Sequence, residues 1–212
     1  MRRTFFTMLR ELIVCMLVFS TMSCEEEGIA PLGVEAIDLG LSVKWATCNV
    51  GAESPIEYGG YYAWGETEEK EIYNLNTYLH YDKNRGSYKK VDKNISGTKY
   101  DVAHVKWGGE WRMPTLDEMK ELCENCTWKW TTFEGVNGYL ITGSNGNFIF
   151  LPASGMFDEQ GNVLSQVSVG NYWSATIPLA VIAYNLIFGE NGYGCETLTN
   201  CYYGLSVRPV RD

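Results

Sequence analysis

From Thr127 onward the chain is a succession of short alternating stretches broken by glycine and Asn-Gly turns, a pattern that no helical bundle can satisfy. "TWKWTTF", "GYLITG", "NFIFLPA", "NYWSAT", "AYNLIF" and "YYGLSVRPV" each read as a strand, because aromatic and β-branched residues at period two suit a half-buried pleated surface. Asn145-Gly146 supplies a hairpin turn between two of them. One helix is predicted, in "WRMPTLDEMKELCENC". Thr115 and Glu118 are spaced as a capping box, Leu116, Met119, Leu122 and Cys123 share one apolar face, and the pattern stops near Asn125. Earlier, "AIDLGLSVKWATCNVG" gives two short alternating stretches around Gly40, and "GGYYAWGE" a strand-like piece ending at Trp64. Residues 66–100 are polar, rich in lysine and tyrosine, and read as a long surface excursion. Little helix with many short strands and glycine turns implies an α+β fold with a mostly antiparallel sheet.

The N-terminus sets the compartment. Arg2, Arg3 and Arg10 precede an apolar run from Leu12 to Phe19 and then small residues before Cys24, which is the layout of a bacterial export signal. The run falls short of the roughly 20 residues that cross a bilayer. Thr21, Met22, Ser23 and Cys24 resemble a lipobox with Cys24 as the lipidated residue, although Thr21 stands where leucine is usual. Glu25, Glu26 and Glu27 follow, and such an acidic run resembles the surface-export signal of Bacteroidota lipoproteins. The expected layout is therefore a signal peptide over 1–24, an acidic tether over 25–35 and one domain over 36–212, anchored to a membrane by lipid alone. At 45% hydrophobic and 14% aromatic, the chain is not disordered. Removing residues 1–24 takes away three arginines and Glu11, leaving 14 Lys+Arg against 25 Asp+Glu, net −11. Nucleic acid is excluded as a partner on that charge.

At "GGEWRMPTLDEMKEL" the sequence resembles the "WRLPT..E" block of the Fibrobacter succinogenes major paralogous domain family. That family is close to other domains of C-type-lectin-like and formylglycine-generating-enzyme-like fold. "DLGLSVKWATCNVGA" (38–52), "YYAWGE" (61–66), "HVKWGG" (104–109), "CTWKWTT" (126–132), "GVNGY" (135–139), "IFLPASG" (149–155), "YWSAT" (172–176) and "YGLSVRPV" (203–210) match in order. The resemblance implies a C-type-lectin-like domain, with one or two helices on a small sheet and final strands carrying a variable ligand-facing surface. It implies no agreed activity. Some members of the fold are targets of diversity-generating retroelements, which rewrite adenine positions near a gene's end. Residues 185–203 hold mainly the residue types such rewriting yields.

The cysteines admit several roles. The formylglycine-generating branch of the fold places a copper-binding, redox-active pair before its last strand, and Cys195 and Cys201 stand there. "CETLTNC" lacks that branch's surrounding arginines and aromatic block, and its spacing is one residue longer. The expectation is instead a Cys195–Cys201 disulfide closing a small loop, as suits an exported protein, with Cys48–Cys126 as a second bridge. Cys123-x2-Cys126 has no second CxxC and only His80 and His104 for company, so no metal site is expected. "FDEQGN" (157–162) lacks the spacing of a calcium loop and reads as a solvated turn. Neither histidine sits in a Ser-His-Asp motif, so neither a catalytic residue nor a cofactor is expected. What remains is the tail: Tyr172, Asn185, Glu190, Asn191, Tyr193, Glu196, Thr197, Thr199, Asn200 and Tyr202. Tyrosine among small polar residues is the chemistry of protein-binding loops, with large contact area at low entropic cost. These ten are the expected ligand-binding residues, for a surface protein or a glycan. An oxidase using Cys195 and Cys201, and a structural subunit of a surface assembly, are the alternatives.

Overall fold

A computed structural model of the chain describes residues 30–212. Cys24, the leader and the tether as far as residue 29 lie outside the described residues. The chain order is β1 (Ala36–Ile37), β2 (Lys44–Ala46), β3 (Tyr81–Asp82), β4 (Ser87–Tyr88), α1 (Val102–Trp107), α2 (Leu116–Asn125), β5 (Thr127–Phe133), β6 (Val136–Thr142), β7 (Phe148–Pro152), β8 (Met156–Phe157), β9 (Val163–Leu164), β10 (Val169–Trp173), β11 (Ile182–Gly189), β12 (Gly192–Asn200) and β13 (Val210–Arg211). The strands form small antiparallel sheets, ordered β1-β2-β13, β10-β11-β12 and β5-β6-β7, with β3-β4 and β8-β9 as two-stranded hairpins. The fold is α+β and rich in strand. Among the described residues no helix is long and apolar enough to cross a membrane.

The predicted helix is α2, and its capping box is present in both directions: Glu118 N donates to Thr115 Oγ1 and Thr115 N donates to Glu118 Oε2. Arg112 adds a bidentate pair to Glu118 at 2.8 and 3.0 Å. Burial by itself would raise the Glu118 pKa, but the guanidinium and the Thr115 backbone outweigh it and hold the carboxyl below its usual value. The unfolded chain therefore takes up this proton at higher pH than the folded one does. The stabilisation is complete above the unfolded value of about 4.3 and is lost as pH falls through the folded value. Urea midpoints measured from pH 6 down to 3 are expected to fall, and Glu118→Gln should flatten that slope. An unchanged slope in the variant would show that Glu118 does not drive it.

Two apolar cores lie on either side of β10, because successive strand residues point to opposite faces. Trp173 joins the core built on Trp64, Tyr62, Tyr73, Ile95 and Trp107, while Tyr172 joins the one built on Leu39, Trp45, Met119, Leu122 and Phe188. Gly170 is opposite Phe188 in the ladder, and a Cβ there would sit 2.1 Å from the ring. The excursion over 66–100 is not loose: Tyr73, Tyr78 and Ile95 are buried in the first core, and β3-β4 forms a hairpin within it. Lys70 ties it down as well, since its Nζ bonds Glu66 at 2.6 Å and lies over the Tyr73 and Tyr78 rings. "YYGLSVRPV" forms isolated bridges to Tyr62, Phe157 and Tyr172 before pairing as β13, rather than one continuous strand.

Candidate functional site

The β11-β12 hairpin turns over Glu190 and Asn191, and its register sorts the tail residues by face. Val169, Asn171, Asn185, Ile187, Gly194 and Thr197 share one face, while Tyr172, Leu186, Phe188 and Tyr193 share the other. A groove of about 440 Å³ runs over the hairpin, lined by residues that include Val169, Ile187, Asn191, Tyr193, Gly194 and Thr197. Three expected ligand-binding residues, Asn191, Tyr193 and Thr197, are among those lining it, although the Tyr193 side chain leaves the strand on the face opposite Thr197. Tyr193 is 43% exposed, yet it is held: its ring stacks on Trp128 at 4.2 Å and 17°. Tyr139 meets Tyr193 at 5.8 Å and Trp130 at 5.4 Å, which extends the aromatic cluster across β5 and β6. Stacked and edge-on rings of this kind fix an amphipathic side chain before a partner arrives.

The other expected residues divide. Glu190 is exposed at the hairpin turn. Glu196 is exposed and paired with Lys120 of α2 at 2.6 Å. Thr199 and Asn200 lie at the far end of β12, opposite Ala183 and Ile182. Tyr202 follows the strand and donates to Glu159 at 3.0 Å.

Two of the ten are overturned as surface residues. Tyr172 is fully buried, its hydroxyl donating to Pro152 O at 2.7 Å and its ring stacked on Phe188. Asn185 is also fully buried: its Nδ2 donates to Asn171 Oδ1 at 3.4 Å, while its Oδ1 has no partner among the described residues. Both sit on strands buried by the flanking cores, where composition resembles an exposed surface and pairing puts them inside. The lining residues Val169, Ile187 and Gly194 were missed because they come from three different strands and only the pairing of β10, β11 and β12 brings them together. Trp128 had a signal, since it alternates with Trp130 in "TWKWTTF".

The expected disulfides are not formed. Cys48, Cys123, Cys126, Cys195 and Cys201 are free thiols. Cys195 lies within β12 and Cys201 just beyond its end. At about 3.3 Å per residue their Cα atoms are on the order of 15–20 Å apart, against the roughly 4.4–6.8 Å that a disulfide spans. They also serve different cores: Cys201 is buried in the first and Cys195 packs on the second. Burial pushes the Cys201 thiol up to about 12, so it is a poor nucleophile. The same separation keeps Cys195 and Cys201 from sharing a copper ion. Cys48 is buried in the first core, donating to Ala52 O at 3.3 Å, while Cys126 caps α2 beside the second. Among the described residues no group of three or more His, Cys, Asp or Glu could hold a metal ion. "FDEQGN" encloses the β8-β9 turn, where Asp158 accepts from Gln160 N and Asn162 N.

No family model, no curated protein and no solved structure matches the chain.

Proposed function

We propose that the chain is an exported lipoprotein anchored through Cys24, whose domain has the C-type-lectin-like fold of the major paralogous family and binds a surface protein or glycan through its β11-β12 face without catalysing a reaction. The observation that carries this reading is the hairpin, which presents a groove with Gly194 and Thr197 on one face and the exposed Tyr193, already stacked on Trp128, on the other. A rigid aromatic beside adaptable polar groups gives contact area at little entropic cost. The hairpin also suits a diversified surface: Glu190, Asn191, Tyr193 and Glu196 are exposed and tolerate exchange, whereas the buried Asn185 and Cys201 do not. The oxidase alternative loses its thiol pair to the separation of Cys195 from Cys201. The assembly alternative keeps one support, since β12 is the edge of its sheet.

Gly194 offers a clean test. A Cβ there meets only Thr197 Cγ2, at 3.7 Å, and the backbone is not in the left-handed region, so Gly194→Arg fills the groove without straining the hairpin. The protein, labelled and applied to arrays of glycans and of purified surface proteins, is expected to bind at least one. Gly194→Arg and Tyr193→Ala should each weaken that binding about tenfold or more, equivalent to roughly 1.4 kcal/mol. Binding indifferent to both variants, or none at all, would rule the reading out. Self-association abolished by Gly194→Arg would favour the assembly subunit.

A further inference from the structure

We propose that Cys123 and Cys195 are an oxidisable pair, closing to a disulfide that ties helix α2 to strand β12 beside the groove. Lys120 and Cys123 stand three residues apart on α2 and so share a face. Lys120 Nζ meets Glu196 Oε1 at 2.6 Å, and Tyr193 Oη lies 3.5 Å from Cys123 O. Those contacts bracket Cys195 on both sides and leave it facing Cys123. Both cysteines are partly buried and pack on the same core, with Cys126 nearby at the end of the helix. The thiols are close enough to perturb each other: burial first, and then the hydrogen bond with Cys195, hold the Cys123 thiol well above its ordinary pKa.

Closure removes two protons and two electrons from the two thiols and forms one S–S bond. The electrons reduce a disulfide oxidant, either a thiol–disulfide oxidoreductase or a small disulfide such as oxidised glutathione, to two thiols by way of a mixed disulfide. Because Cys123 is held protonated, closure is expected to speed up as pH rises from 7 to 9. The consequence is mechanical. In the reduced protein β12 is an edge strand held to α2 by one exposed ion pair, the Tyr193 hydroxyl bond to Cys123 O and packing; in the oxidised one a covalent bond fixes it two residues from Tyr193. The export reading supplies an oxidising compartment, but the chemistry needs only the oxidant, so this inference and the ligand reading fail separately.

The purified protein, incubated with oxidised glutathione and then blocked and unfolded, is cut by a Glu-specific protease. Cleavage after Glu121, Glu124, Glu134, Glu190 and Glu196 places Cys123 in Leu122–Glu124, Cys126 in Asn125–Glu134, Cys195 in Asn191–Glu196 and Cys201 in Thr197–Asp212. The expected product links Leu122–Glu124 to Asn191–Glu196, and it persists in Cys126→Ser. Oxidation should also raise the Tm by roughly 5–10 °C, a gain absent from Cys195→Ser. A link carried by Asn125–Glu134 or Thr197–Asp212, or free thiols at Cys123 and Cys195 after full incubation, would overturn the proposal.

Discussion

Arg208→Ala is expected to destabilise the domain by about 4 kcal/mol or more, lowering the Tm by roughly 10 °C or beyond. The side chain is 1% exposed, and its guanidinium makes four hydrogen bonds: Nε to Asn49 Oδ1 at 2.8 Å, Nη1 to Ala46 O at 2.9 Å and Thr47 O at 2.7 Å, and Nη2 to Phe150 O at 3.0 Å. None of those acceptors is a carboxylate. The positive charge is carried inside by oriented carbonyl dipoles, and burial draws its pKa below the ordinary value. Removing it orphans an amide oxygen and three backbone carbonyls in a place water does not reach, at about 1–3 kcal/mol each if none finds a new donor. Asn49 is itself engaged with Tyr58 O and the Tyr172 hydroxyl, so the loss spreads to the strand beside the groove. Arg208→Lys keeps a charge but not the planar fork and should recover only part of the stability. Urea unfolding followed by tryptophan fluorescence measures both variants. A loss below about 1 kcal/mol for Arg208→Ala would mean that the carbonyls find other donors.

Asp101→Ala is the second large effect, expected at about 3–5 kcal/mol. Asp101 is fully buried and caps α1: Oδ1 accepts from Ala103 N at 2.9 Å and His104 N at 3.1 Å. Its other oxygen accepts from Gly97 N and Met113 N, both at 2.8 Å. One carboxylate therefore joins the end of the 66–100 excursion, the first turn of α1 and the segment leading to α2. Alanine leaves all four N–H groups without that partner. Asp101→Asn is the informative control, because it keeps one oxygen and presents an NH2 to two N–H donors. It should lose more than half of what alanine loses, against a typical domain stability of about 5–15 kcal/mol. If asparagine matched the wild type in urea, the second oxygen would carry no weight.

Local chemistry made part of this molecule legible in advance. Thr115 and Glu118 mark the start of α2 by satisfying its first N–H groups, and that signal needs no tertiary context. β5, β6 and β7 form at "TWKWTTF", "GYLITG" and "NFIFLPA", with Asn145-Gly146 turning between the last two, although β7 is buried at four successive positions rather than alternating. Helix α1 was silent because six residues carry too little periodicity, and its one signal was the cap at Asp101. Strand β12 was silent for another reason: "GYGCETLTN" has no apolar alternation. It is a strand because β11 offers it a ladder and α2 covers part of one face.

Interactions between neighbours within about four residues account for the capped helix, the hairpins and the α+β class, and composition alone for the tyrosine-rich and asparagine-rich tail. Which members of that tail face outward depends on how the strands pack. With a core on each side of β10, alternation there does not separate inside from outside, so Tyr172 and Asn185 are buried while Tyr193, of the same composition class, lies at the groove. The cysteines followed the same rule. Cys195 and Cys201 are six positions apart in the chain, but an extended strand holds them at opposite ends, whereas Cys123, distant in sequence, is brought beside Cys195 by the packing of α2 on β12.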